Sequence, residues 1–125
     1  MGYNILIVDD SETMRAVLKR TIQMTGVPVE EVYQAENGKA ALNLLDEKWV
    51  DIVFADINMP VMNGLEMVDS MVNKGQIYST PVVIVSTEGS RVRLDELTSK
   101  GVKAFLRKPV TPEKFEKVVC DVLED

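Results

Sequence analysis

Residues 3–12 read YNILIVDDSE. Four apolar residues, Ile5 to Val8, run straight into two adjacent carboxylates, Asp9 and Asp10. The pattern recurs at Ile52–Ala55, which ends at Asp56, and a third apolar run, PVVIV, covers Pro81–Val85. A strand with one wet face alternates apolar and polar residues, whereas these runs are continuous. They read as strands covered on both faces, hence as a parallel sheet with helices on each side.

The segments between them carry helical spacing. Ser11 caps a segment with Met14, Val17, Leu18 and Ile22 on one face, stopped at Gly26–Val27–Pro28. Glu31–Ala35 (EVYQA) is a weaker strand, and Asn37–Gly38 turns into a helix with Ala40, Ala41, Leu44 and Leu45 inward. NMPVMNG, residues 58–64, is a loop by its Pro and Asn-Gly content, and Leu65, Val68, Met71 and Val72 follow on another helix face. A helix over Val92–Lys100 ends at Gly101, Ala104–Leu106 makes a short last strand, and Thr111 caps a final helix. Pro112 takes the first position of that helix, and Phe115, Val118, Val119 and Val122 form its stripe. Five strand–helix units with right-handed crossovers make one doubly wound α/β domain over residues 1–125, with five helices and no output domain.

Composition narrows the function. The 125 residues are 46% hydrophobic and 27% charged, an ordinary globular mixture. A net charge of −6 without a basic run argues against nucleic-acid or anionic-membrane partners. The single cysteine, Cys120, rules out an internal disulfide and fits a reducing compartment. No signal peptide or membrane-length apolar stretch is present, so the chain reads as cytoplasmic. With no histidine, the chain has no Ser-His-Asp triad, no His-ligated zinc and no phosphohistidine of its own.

In a doubly wound sheet, function gathers at the carboxyl ends of the strands. If the strands ending at Asp9–Asp10 and Asp56 are neighbours, three carboxylates converge. Their repulsion has no structural benefit, and a hard divalent ion with oxygen ligands would offset it. VIVSTE places the Ser86 hydroxyl after the fourth strand, and FLRKP places Lys108 after the fifth. Metal, carboxylate nucleophile, hydroxyl donor and ammonium are the parts that phosphoryl transfer to an aspartate requires.

The matches ILIVDD, DIVFADINMPVMNG, PVVIVST and KAFLRKP, in this order and at these intervals, resemble a response-regulator receiver domain of the single-domain chemotaxis type. The resemblance implies a flavodoxin-like receiver fold with strand order 2-1-3-4-5. It implies that Asp56 accepts a phosphoryl group from a phosphohistidine on a histidine kinase. It also implies Mg²⁺ bound by Asp10, Asp56 and the carbonyl of Asn58, with Asp9 acting through water. Lys108 would pair with Asp56, Ser86 and Phe105 would form the switch, and the Lys108–Pro109 bond would be cis. Asn58 and Glu88 would tune dephosphorylation. Output would pass through the helix over 92–100, the last strand and the final helix, including Lys103 and Arg107. The implied partners beyond the kinase are a target such as a flagellar motor switch component and a phosphatase. A phosphorelay shuttle, or a regulator of another pathway, is the alternative. Self-phosphorylation and self-dephosphorylation would be the only catalysis.

Departures from the family pattern are Thr87 where a small residue is usual, Val110 where Phe is commoner, and Ile57 in place of Trp. Trp49 reads as a partly exposed packing residue. Four rivals fit less well, and against one of them, a receiver-like module that binds partners without phosphorylation, the intact acid set argues. Val61 occupies the position where an EF-hand loop needs Gly. Asp9–Asp10 would repel a flavin phosphate. Asn58 stands where an aspartyl hydrolase has its second Asp.

Overall fold

The computed structural model describes residues 2–87 and 91–123. Strands β1 (Tyr3–Val8), β2 (Val29–Ala35), β3 (Ile52–Ala55), β4 (Val82–Ser86) and β5 (Ala104–Arg107) form one parallel sheet in the order β2-β1-β3-β4-β5. Helices α1 (Glu12–Gln23), α2 (Gly38–Glu47), α3 (Gly64–Asn73), α4 (Gln76–Ser79), α5 (Arg91–Ser99) and α6 (Pro112–Leu123) cover it.

The continuous apolar strands are explained by a core on each face. Ile5 and Ile7 of β1 join Ile52 and Phe54 of β3 and Val83 and Val85 of β4, under α1 and α6. Leu6, Val8, Val53, Ala55, Val82 and Ile84 point the other way, toward α2, α3 and α4. Phe54 meets Phe115 of α6 with ring centroids 4.7 Å apart, which fixes α6 against the sheet. The expected caps form: Met14 N donates to Ser11 Oγ, Ala40 N to Asn37 Oδ1 and Lys114 N to Thr111 Oγ1.

Several expectations need correction. Six helices are found among the described residues where five were expected. The added α4 is a single turn that follows left-handed Gly75 and buries only Ile77, too short to show a period. Strand β2 starts at Val29 rather than Glu31, because Val29 continues the pairing opposite Tyr3. Strand β4 starts at Val82 rather than Pro81, since proline has no N–H to give the ladder. It runs through Ser86, which therefore ends the strand instead of following it. Strand β5 gains Arg107, paired with Ser86. Val17, expected inward, is half-exposed because α1 seats on Leu18, Thr21 and Ile22 instead. Thr21 can be buried there because its hydroxyl donates to the Val17 carbonyl at 3.0 Å. Gly101 does end the α5 segment, with φ of 111°, and a Cβ there would lie 3.0 Å from Ile77 Cγ1.

The loop after β3 is folded tightly onto the end of that strand. Gly64 N donates to Ile57 O at 2.8 Å, and a Cβ on Gly64 would sit 2.5 Å from the Asp56 carbonyl oxygen. Only glycine fits that close approach. Gly38 N donates to Met62 O at 2.9 Å, tying the loop to the start of α2. At the tip, Met62 N donates to Pro60 O at 2.7 Å across Val61, whose φ is 68°. That is a γ-turn of the strained, positive-φ kind, carried by a β-branched residue.

Holding a residue in so sparsely populated a positive-φ conformation costs about 1–3 kcal/mol, and asparagine, unbranched at Cβ, tolerates positive φ better than valine. Val61 is exposed, so its side chain contributes little packing. Val61→Asn should therefore stabilise the fold by about 1 kcal/mol, a rise of roughly 3–5 °C in melting temperature. An unchanged or lower urea midpoint would show that the valine turn carries no strain.

Candidate functional site

The pairing of Val8 with Ala55 places the next residues of β1 and β3 side by side at the carboxyl edge. Asp56 N donates to Val8 O and Asp9 N to Ala35 O, so the ladder extends one residue past each strand and holds both backbones. Asp9, Asp10 and Asp56 each offer an oxygen within 4.8 Å of the others. Asp9 is buried, Asp56 half-buried and Asp10 exposed.

The Lys108 ammonium lies 3.0 Å from Asp9 Oδ2 and 3.1 Å from Asp56 Oδ2. Sequence reasoning paired Lys108 with Asp56 alone, whereas the structure divides it between two acids. Lys108 follows β5, which is separated from β3 by β4, so its side chain crosses the end of β4. Lys108 N donates to Ser86 O at 3.2 Å, and the Lys108–Pro109 bond is cis. The remaining carboxylate oxygens are held by the backbone. Asp9 Oδ1 accepts from Ser11 N at 2.9 Å, and Asp56 Oδ1 accepts from Ile57 N at 2.7 Å.

Burial alone would lower the Lys108 pKa. The hydrogen bonds it donates to Asp9 and Asp56, with the attraction of their charges, outweigh it, so the value is raised above the ordinary 10.5. A raised lysine contributes stability that is fully present below 10.5 and is lost as pH climbs through the folded value. The Lys108 ammonium therefore stays charged across the neutral range.

The structure distributes the other expected residues unevenly. Ser86 is buried at the end of β4, beside Lys108 in the chain pairing. Asn58 is exposed in the loop that leaves Asp56, and Thr87 is exposed just past β4. Phe105 is half-buried on β5 and packs against the core on the α2–α3 side. Lys103 and Arg107 are exposed on either side of it in the chain. Glu88 lies outside the described residues. Val110 and Pro109 line a small apolar cavity of about 70 Å³ beneath the acids, with Met14, Val17 and Phe54. Trp49 is 72% exposed, beyond the partial exposure expected, because its Nε1 donates to Asp51 at 2.9 Å on the opposite edge of the sheet. One participant was missed altogether: Arg15 Nη1 donates to the Asp9 carbonyl at 2.6 Å. Its only trace in the sequence is a cation one turn into α1 after two acids.

Three carboxylates around one shared ammonium leave surplus negative charge in an all-oxygen donor set. That set fits a hard divalent cation and no soft or nitrogen-preferring metal. Among the described residues no helix is long and apolar enough to cross a membrane.

A family model described as "Response regulator receiver domain" matches residues 5–120. A chemotaxis protein CheY homolog of Campylobacter jejuni is 36% identical over 120 residues, covering 95% of this chain and 91% of that protein. The solved structure of Vibrio cholerae chemotaxis protein CheY4 superposes with a TM-score of 0.84 at 33% identity, covering 98% of this chain and 100% of that one. A CheX–CheY–BeF₃–Mg²⁺ complex from Borrelia burgdorferi contains a chain that matches at 27% identity and a TM-score of 0.80, covering 96% of this chain and 88% of that one.

The surplus charge predicts a response to cations. An ion that binds only the folded protein stabilises it by mass action. Millimolar Mg²⁺ should raise the melting temperature, while Asp10→Asn should raise it by about 2–5 °C without metal and abolish the Mg²⁺ response. Differential scanning calorimetry with and without chelator checks both. A variant that still responds like the unaltered protein would remove Asp10 from the site.

Proposed function

Because the chain belongs to the response regulator receiver family, we propose that it relays signals by accepting a phosphoryl group on Asp56. The observation that carries this reading is the Lys108 ammonium shared between Asp56 and Asp9, with Asp10 alongside. A surface acid would not be equipped with a half-buried lysine and two more carboxylates.

A carboxylate oxygen of Asp56 attacks the phosphorus of a phosphohistidine. The P–N bond breaks, the imidazole leaves, and an acyl phosphate forms. The donor comes from another protein, a histidine kinase, since this chain has no histidine. Ile57 N and Lys108 hold the two oxygens of Asp56, which orients the nucleophile before the donor arrives. As charge moves onto the phosphoryl oxygens, Lys108 shifts its hydrogen bond from Asp56 toward them and keeps its bond to Asp9. Ser86 donates its hydroxyl to a second phosphoryl oxygen. Asp10, Asp56 and the Asn58 carbonyl would hold Mg²⁺, with Asp9 acting through water, and the bound ion would neutralise phosphoryl charge. The Mg²⁺ and BeF₃ named in the Borrelia complex support this cation choice.

Output passes through α5, β5 and α6. Ser86 moves toward the phosphoryl group, Phe105 turns further inward, and the surface carrying Lys103 and Arg107 changes. Chemotaxis is the favoured pathway because the relatives at 36% and 33% identity are chemotaxis proteins. The target is then a component such as the flagellar motor switch, and a phosphatase completes the circuit. The site works in the cytoplasm.

Small phosphodonors test the acceptor directly. With Mg²⁺, acetyl phosphate should add one phosphoryl group by intact mass, and Asp56→Asn should add none. Stoichiometric labelling of that variant would move the acceptor elsewhere.

Signal lifetime is set by water reaching the P–O bond in line. Asn58 is exposed at the rim of the site and can hydrogen-bond that water, with Glu88 as its partner by family resemblance. Asn58→Leu should slow decay of the phosphorylated protein several-fold after donor removal. An unchanged decay constant would take Asn58 out of the dephosphorylation step.

A further inference from the structure

Asp10 is the most exposed of the three acids, yet it must be aimed at the other two. Its direction is set by the plane of the peptide that joins it to Asp9. The peptide before it is fixed already, because the Asp9 N–H donates to Ala35 O at 3.1 Å. The Asp9 carbonyl, which belongs to the Asp9–Asp10 peptide, is held by Arg15 Nη1 at 2.6 Å. Arg15 is itself braced twice. Its Nε donates to Gln34 Oε1 on β2 at 3.0 Å, and its backbone N–H donates to Ser11 O at 3.0 Å. Ser11 N returns to Asp9 Oδ1 at 2.9 Å. The chain from Asp9 to Arg15 is thus closed on itself and pinned to the neighbouring strand.

Resting on the metal-site reading above, we infer that Arg15 is a positioning residue for the cation. It orients the Asp9–Asp10 peptide so that the Asp10 carboxylate faces Asp56, without itself touching the ion or the phosphoryl group. Supporting partners of metal ligands commonly govern affinity in this way.

The opposite reading has the opposite sign. A guanidinium near three acids competes electrostatically with a divalent ion, so removing a mere charge should tighten metal binding. Positioning predicts that losing the planar, two-pronged group weakens binding even when the charge is kept, because lysine cannot hold the Asp9 carbonyl and Gln34 with one fixed fork.

The test is titration of the unphosphorylated protein with Mn²⁺, followed by electron paramagnetic resonance of the free ion, with Mg²⁺ as competitor. Arg15→Lys and Arg15→Met are compared with the unaltered protein. Both should bind about 10-fold more weakly. Their urea midpoints in chelator report whether the fold is intact, and if Arg15→Met does not fold, Arg15→Lys decides alone. Unchanged affinity in Arg15→Lys, or tighter binding in Arg15→Met, overturns the inference. Ion binding by the unaltered protein with no loss in either variant defeats the role of Arg15 and leaves the metal site standing. No ion binding by the unaltered protein defeats both.

Discussion

One ammonium group between two carboxylates, Asp9–Lys108–Asp56, is the interaction on which the arrangement depends. It constrains topology as well as charge. Asp9 and Asp56 can share a cation only if β1 and β3 are adjacent, which the β2-β1-β3-β4-β5 order provides. Lys108 starts two strands away from Asp56 and reaches it only by passing over the end of β4, where its backbone is pinned to Ser86. Three strand ends are therefore tied together by one side chain. Removing that lysine would leave two poorly solvated acids facing each other, which costs far more than an exposed pair of the same charges.

The two-sided core is what makes such a site possible. Every side chain of β3 and β4 is buried, so neither face of the central sheet can hold polar chemistry. The chain can expose reactive groups only where the strands stop. The loops at that edge are correspondingly well fixed. Gly64 packs on the Asp56 carbonyl, Gly38 bonds Met62, and Ser11 bonds Asp9, so the acids stand on backbone with little freedom to move apart. The strain at Val61 belongs to the same economy of space, because the loop must turn sharply to bring Gly64 back over the strand it has just left.

The sequence carried the strands and the acids plainly, because apolar runs ending in Asp have few other readings. Strand order followed from family resemblance rather than from the runs themselves. What escaped it depends on three-dimensional neighbours. The turn α4 buries one side chain, and a single buried residue has no period. Thr21 hides in the core because its hydroxyl finds the Val17 carbonyl, and it displaces Val17 from the inward face that helical spacing assigned it. Trp49 stands out in solvent because its indole N–H is satisfied by Asp51 rather than by the core. Arg15 binds a carbonyl, and carbonyls leave no mark in a sequence. The sharing of Lys108 with Asp9 was hidden for a related reason, since the reach of a lysine across a strand end depends on the backbone that starts it.

That sharing has a consequence for switching. A lysine paired only with Asp56 would have to break its sole ion pair to follow a phosphoryl group. On the proposed reading, Asp9 would keep one oxygen on the ammonium, so Lys108 would turn from Asp56 toward phosphoryl oxygens without being left unpaired in a half-buried site. Ser86 is coupled to the same motion by the bond from Lys108 N to its carbonyl and by its pairing with Arg107 in β5. Phe105 lies three residues before Lys108 on β5 and packs on the core beside α2 and α3, so only a short stretch of strand separates it from the acid site. Under the proposed function Asp9 would be more than a distant metal helper: it would be the fixed anchor that keeps the moving cation neutralised while the charge on Asp56 changes.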